Sequence, residues 1–274
     1  MRDKDNEAKI APLRKAFGEH FAQLELVNAD LLNADSISAA IAGSTYVVHV
    51  ASPFYFPEND DDVIKPAVDG TMAVMHACKA SGVKRCVITS SIAAIFAPAK
   101  EDAPDAETGC YDESVWSNPD RPEGIPGYFK SKTLAEKAAW DFQKSLPEAE
   151  RFEIVCINPV YVHGPTLIPG GFTSADIIVA FFEGSNKLIG PTGMPTVDVR
   201  DISKMHLEGL RRPEAANQRF IGCHETIYPK EILDVLSEHF GPQGFTIPTK
   251  EDGEHIKSAR VSTKRGSART RRSR

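Results

Sequence analysis

Tyr128 and Lys132 stand four residues apart in the segment GYFKSKTLAEKAAW. On a helix that spacing puts both side chains on one face. Ala135, Ala139 and Phe142 continue the face, while Lys130, Thr133, Lys137, Asp141 and Lys144 lie elsewhere. An ammonium held beside a phenol favours the phenolate, bringing a group that ordinarily titrates near 10 closer to neutrality. A general acid that hands a proton to a forming alkoxide needs that tuning. The same spacing also fits a surface tyrosine lying on a lysine stem, so the pair has to be judged by its setting.

The setting is a set of strand ends. Ser90 and Ser91 follow directly on the apolar run RCVIT, Asn158-Pro159-Val160 closes the run that begins EIVCI, and Ala51-Ser52-Pro53 follows YVVHV. In a parallel α/β sheet ligands sit beyond the carboxyl ends of the strands. A serine there can hydrogen-bond a carbonyl, and small residues let a flat ring lie against the backbone. Three strand ends therefore converge on one crevice beside the Tyr128/Lys132 helix.

The pattern of the 274 residues supplies the elements that position these groups. Short apolar runs at 24–27, 46–50, 85–89 and 153–157 read as strands. They alternate with helices over 36–41, 63–80 and 128–145. Gly82 ends the second of these helices. Such alternation predicts βαβ units and a doubly wound parallel sheet. From Pro159 the grammar changes to Pro, Gly and Thr through Gly171. Helices near 174–183, 202–210 and 229–240 follow, with an extended TVDVRD around Asp198. The expected organisation is an α/β domain over 1–158, a smaller substrate lobe over 159–250 and a disordered basic tail over 251–274.

Composition excludes several classes. The formal net charge is −6, so nothing in the overall balance calls for nucleic acid. Residues 257–274 hold eight basic side chains and no acid, leaving 24 basic against 38 acidic elsewhere. No stretch approaches the roughly 18 apolar residues of a membrane span. The start, MRDKDNEAKI, has no apolar leader core. Cys78, Cys86, Cys110, Cys156 and Cys223 are odd in number and widely spaced, without a Cys or His partner at metal-ligand spacing. The expectation is a cytoplasmic protein with no metal; the strand-end serine, not the composition, suggests a small-molecule carbonyl partner.

The segments VNADLLNADS, VVHVASPF, VKRCVITSSIAAI, GYFKSKTLAEKAAW, INPVYVHGP and VDVRDISKMHL, in this order, resemble the extended short-chain dehydrogenase/reductases. Within them the sequence is similar to the dihydroflavonol reductase, cinnamoyl-CoA reductase and fungal ketone/aldehyde reductase group. The resemblance implies a Rossmann-like fold and NADPH-dependent reduction of a ketone or aldehyde by a Ser-Tyr-Lys triad. Ser91 would position the carbonyl, Tyr128 would donate the proton, and Lys132 would lower the phenol's pKa and bind the nicotinamide ribose. Asp30 and Leu31 match the family's adenine contact. Val50, Ala51 and Ser52 would line the cofactor, and Pro159, Val160 and Val162 would hold its nicotinamide end. Arg2 and Lys9 match the basic pair that grips the 2′-phosphate of NADP(H).

The sequence also departs from the family. The family's first strand leads into a glycine-rich turn whose N–H groups hold the pyrophosphate. Here Gly18 and Gly43 are the only glycines before residue 50, and Arg2 corresponds to the end of the family's second strand. The expected sheet lacks its first two strands, so 24–27 has no neighbour and 46–50 presents an apolar, unpaired edge. Past GFTIPTK the family pattern is also lost. These departures predict a partial family member, such as a truncated gene model or splice product, with weak or absent dinucleotide binding. Two alternatives stay open: an epimerase or hydroxysteroid dehydrogenase, and a non-catalytic binding protein that keeps the triad.

Other residues carry blander expectations. His49 and His163 lack partners at triad or ligand spacing and read as structural. Asp60, Asp61 and Asp62 read as a solvated helix start, and Asp198, Arg200 and Asp201 as a structural ion pair. Trp116 and Tyr111 fit either substrate cover or packing. The basic tail reads as a solvated segment or frame artefact rather than a nucleic-acid arm. Plant dihydroflavonol reductases carry a flavonoid-contacting Asn four residues after the serine. Ile95 and then Phe96 stand there, which predicts an aldehyde or ketone with a hydrophobic substituent instead.

Overall fold

The computed structural model describes residues 1–53, 59–99, 102, 104–107, 109–167, 174–182, 192–247 and 260–261. Helix α1 (Glu7–Phe17) opens the chain, and α2 (Ala34–Ile41) follows, with the Asn33 side chain accepting from Ser36 N at 3.0 Å as its N-cap. Next come β1 (Tyr46–His49), α3 (Asp61–Ala80), β2 (Arg85–Thr89), a 3₁₀ turn at Ile92–Ala94 and the short β3 (Cys110–Tyr111). Helix α4 (Gly127–Ser145) carries the Tyr/Lys pair and leads to β4 (Glu153–Pro159), β5 (Tyr161–His163) and α5 (Asp176–Phe182). The remainder is β6 (Met194–Asp198), α6 (Val199–Arg211), β7 (Gln218–Gly222), β8 (Glu225–Ile227), α7 (Pro229–Phe240) and β9 (Arg260–Val261).

The main sheet is all parallel in the order β1-β2-β4-β7. Its central strands read as continuous apolar runs because both faces are covered. Cys86, Ile88, Ile154 and Cys156 face α2, α3 and α4, joining Ile37, Met75, Cys78 and Trp140. Val87, Val155 and Ile157 face the other way, toward Ile202 of α6. Helix α6 approaches closely because Gly209 has no Cβ; one would lie 3.3 Å from Val155 Cγ1. Arg85 secures its end, donating to the carbonyls of Gly209 at 2.8 Å and Arg212 at 2.7 Å, groups a helix C-terminus leaves unpaired. A three-stranded sheet, β5-β6-β8, lies beyond the carboxyl end of β4, with β5 and β6 parallel and β6 and β8 antiparallel.

The structure corrects or extends several sequence expectations. Residues 24–27 form no strand. A strand needs ladder partners, and here Leu24 N turns back to Phe21 O at 3.0 Å, while Met1 N donates to Val27 O at 3.1 Å and Met1 O accepts from Ala29 N at 2.8 Å. Strand β1 is the sheet edge, and Tyr46, Val48 and Val50, alternate residues on one face, are exposed. The sheet takes its fourth strand from Gln218–Gly222, past the expected boundary at 158. Helix α1 was not expected; it buries only Ile10 and has Pro12 inside it. Apart from Arg260–Val261, which pair in parallel with β3, the tail expected over 251–274 lies outside the described residues, as do Phe54 and the Pro169 to Gly171 stretch.

Candidate active site

Strand register brings the expected strand ends together. His49 pairs with Ile88 and Thr89 with Ile157, and Ser90 N donates to Ile157 O at 2.8 Å. Residues 50–52, 90–91 and 158–160 therefore emerge side by side. Ser91 ends the strand in extended conformation and its Oγ accepts from Ala93 N at 3.1 Å, so the serine is the N-cap of the 3₁₀ turn.

Tyr128 lies in the first turn of α4. That turn packs tightly on the start of α3: a Cβ on Gly127 would collide with the Asp60 carboxylate, and Lys130 Nζ reaches Asp60 Oδ2 at 2.9 Å. Asp60 is thus a partner for α4 while its side chain stays partly exposed. The Tyr128 hydroxyl donates to Ser91 Oγ at 3.4 Å, and Lys132 Nζ stands 5.7 Å from the Tyr128 ring centre. Burial draws the Lys132 pKa down to about 8, against the opposing pull of the Glu136 carboxylate. The expectation for Tyr128 needs correcting. Burial pushes its phenol above the ordinary value, the Ser91 hydroxyl pulls it down and Tyr161 adds to the rise. Removing the phenolate from water outweighs the hydrogen bond to Ser91.

The remaining predicted residues are placed as follows. Val50 and Ala51 are exposed, Ser52 half-buried, Pro159 and Val160 buried, and Val162 half-buried in β5. Leu31 packs on α3, its Cβ 3.2 Å from where a Gly70 Cβ would stand. Asp30 Oδ1 accepts from Leu32 N at 3.0 Å. Arg2 and Lys9 are exposed, and no contact joins them to the triad. Ile95 is fully buried in the core. Trp116 is packing: the Arg219 guanidinium lies 3.7 Å above its ring. Asp198 caps α6 and pairs with Arg200 at 2.6 Å. Among the described residues no three His, Cys, Asp or Glu side chains gather as a metal would need.

Below the triad lies a buried polar cluster that sequence reasoning missed. Glu136 Oε2 accepts from Ser90 Oγ at 2.6 Å and Asn158 Nδ2 at 2.9 Å, and its Oε1 from Arg219 Nε at 2.7 Å and Trp140 Nε1 at 3.3 Å. The one signal for it was spacing, since Tyr128, Lys132 and Glu136 fall at i, i+4 and i+8. Away from this end, a cavity of about 670 Å³ opens at the amino ends of the strands, lined by Tyr46, Arg85 and Glu153, and none of the triad reaches it.

His49, at the end of β1, is structural in a measurable way. Burial, reinforced by the Lys132 charge, pushes its pKa from 6.5 down to about 4. In that window the unfolded chain binds a proton that the folded chain does not. The associated stability is fully present above pH 6.5 and is lost as pH falls to 4, by about 3 kcal/mol. Urea midpoints at pH 7 and pH 4 should differ less in His49→Asn than in the parent, and identical losses in both proteins would rule His49 out.

Comparison with known proteins accords with this geometry. Residues 5–168 match the 3-beta hydroxysteroid dehydrogenase/isomerase family. Cinnamoyl-CoA reductase 1 of Petunia hybrida is 34% identical over 229 residues, covering 83% of this chain and 65% of that one. The NADPH-dependent methylglyoxal reductase GRE2 of Saccharomyces cerevisiae is also 34% identical, covering 76% of this chain and 64% of the relative. The chain thus spans a little under two thirds of the length of these two proteins. The crystal structure of yeast methylglyoxal/isovaleraldehyde reductase Gre2 complexed with NADPH superimposes with a TM-score of 0.76 at 29% identity, covering 95% of this chain and 81% of that one. Family match, fold and strand-end arrangement agree, and the chain belongs to the 3-beta hydroxysteroid dehydrogenase/isomerase family, within the extended short-chain dehydrogenase/reductases.

Proposed function

We propose that this chain carries the catalytic residues of an NADPH-dependent reductase that converts a ketone or aldehyde to an alcohol. The observation that carries this reading is the pair of hydroxyls, Ser91 Oγ and Tyr128 Oη, 3.4 Å apart at the carboxyl end of β2. That separation is long for an O–H···O bond, and it lets one carbonyl oxygen accept from both. Ser91 orients the carbonyl. Tyr128, kept protonated by burial, gives up its O–H proton as the carbonyl electron pair moves onto oxygen and the alcohol O–H forms. Lys132, charged at neutral pH, offsets the phenolate left behind. When bound, the nicotinamide supplies the hydride.

In this reading Tyr128, Lys132, Pro159, Val160 and Val162 would hold the nicotinamide end of the cofactor. Val50, Ala51 and Ser52 would line its middle, Asp30 and Leu31 would meet the adenine, and Arg2 and Lys9 the 2′-phosphate. Five free cysteines support a reducing, cytosolic setting. The second reading is a binding protein that retains the triad without turnover.

The test is NADPH oxidation by purified protein at about millimolar NADPH across aldehydes and ketones, beside a calorimetric NADPH titration. Carbonyl-dependent oxidation is expected. Binding without oxidation would favour the binding protein, and neither would end both readings.

A further inference from the structure

Ser91 acts only if its main chain is held where the strand leaves the sheet. Two routes of hydrogen bonds hold it, and both start at one buried ion pair. The side chains of Glu136 and Arg219 are 0% and 8% exposed and meet at 2.7 Å. On the first route, Glu136 Oε2 takes the Ser90 hydroxyl and one Asn158 N–H, and Asn158 Nδ2 also donates to Ser91 O at 3.0 Å. Turning that amide over would set its oxygen against two acceptors, so the cluster fixes its orientation. On the second route, Arg219 Nη1 donates to the carbonyls of Glu113 at 2.8 Å and Val115 at 2.7 Å. Two residues on, Ser117 Oγ donates to Ala93 O at 2.7 Å and accepts from Ala97 N at 2.9 Å, while Ser117 N donates to Ala94 O at 2.8 Å.

A buried carboxylate and guanidinium are expensive to desolvate and contribute little net stability compared with an apolar pair. Their charge-assisted bonds are short and directional, which suits them to fixing positions. Every partner named above leads to residues 90–97, the segment that presents Ser91. We propose that Glu136 and Arg219 are positioning residues for Ser91, acting through Asn158 and through the 113–117 loop. As an effect on catalysis this rests on the reductase reading; as an effect on the backbone it does not.

The experiment pairs amide hydrogen exchange with kinetics in Glu136→Gln and in Asn158→Ala, the second of which leaves the ion pair intact. In both, the amides of Ala93 and Ala94 should exchange at least tenfold faster, while those of Cys86, Val87 and Ile88 stay within twofold. In the same proteins kcat should fall at least tenfold, with KM within twofold. If Glu136→Gln does not fold, Asn158→Ala decides alone. Unchanged exchange at 93–94, or a uniform rise along β2, would overturn the proposal. Absence of turnover in the parent protein would count against the reductase reading only, since the exchange result still decides positioning.

Discussion

Tyr128→Phe is expected to abolish carbonyl reduction while leaving the protein folded. The substitution keeps the aromatic ring and removes one hydroxyl, whose hydrogen bond is the 3.4 Å contact to Ser91. Stability should therefore change by less than about 1 kcal/mol, the net worth of a single neutral hydrogen bond. Chemistry should suffer far more, because no other O–H in the described site lies across from Ser91. General acids contribute about 10² to 10⁴ in rate, so kcat/KM should fall by about 10³, or about 4 kcal/mol of transition-state stabilisation. Carbonyl-dependent NADPH oxidation and far-ultraviolet circular dichroism on the same samples make the measurement. An unchanged rate in a folded variant would remove the phenol from the reaction.

The second large effect concerns stability. Arg219→Met should destabilise the fold by about 3–5 kcal/mol, because it leaves the fully buried Glu136 carboxylate without its counter-charge. It also frees the carbonyls of Glu113 and Val115. Adding Glu136→Gln to the same protein removes the stranded charge, so the double variant should recover much of the loss. Urea denaturation of the parent, both single variants and the double variant gives the coupling. A single-variant loss below about 1 kcal/mol, the range of exposed ion pairs, would mean that water reaches the pair.

These residues show how far the sequence could be read. Strands β2 and β4 and helices α3 and α4 were legible because burial on two sheet faces, or on one helix stripe, imposes an apolar pattern. Residues 24–27 carry the same pattern, yet a pattern does not supply the neighbouring backbone a strand requires. Strand β7 escaped notice because Gln218 and Arg219 interrupt its apolar run, and Arg219 is polar for the reason that makes it important. Helix α1 buries little, so it leaves almost no stripe. In the site, Ser91, Tyr128 and Lys132 were legible through strand ends and helical spacing. Glu136 sits between Ala135 and Lys137, where an acid reads as solvent-facing; only the partners converging from β2, β4 and β7 give it a purpose. The direction of the Tyr128 pKa was hidden for a related reason, since desolvation depends on the packed surroundings and not on the neighbour four residues away.

The chain has two tryptophans, Trp116 and Trp140, and both touch the Glu136–Arg219 pair, one beneath the guanidinium and one through its indole N–H. Tryptophan emission from this protein therefore has a single address. A shift in its wavelength or intensity at native conditions is sensitive to the surroundings of that ion pair and gives a label-free optical gauge of the ground on which Ser91 stands.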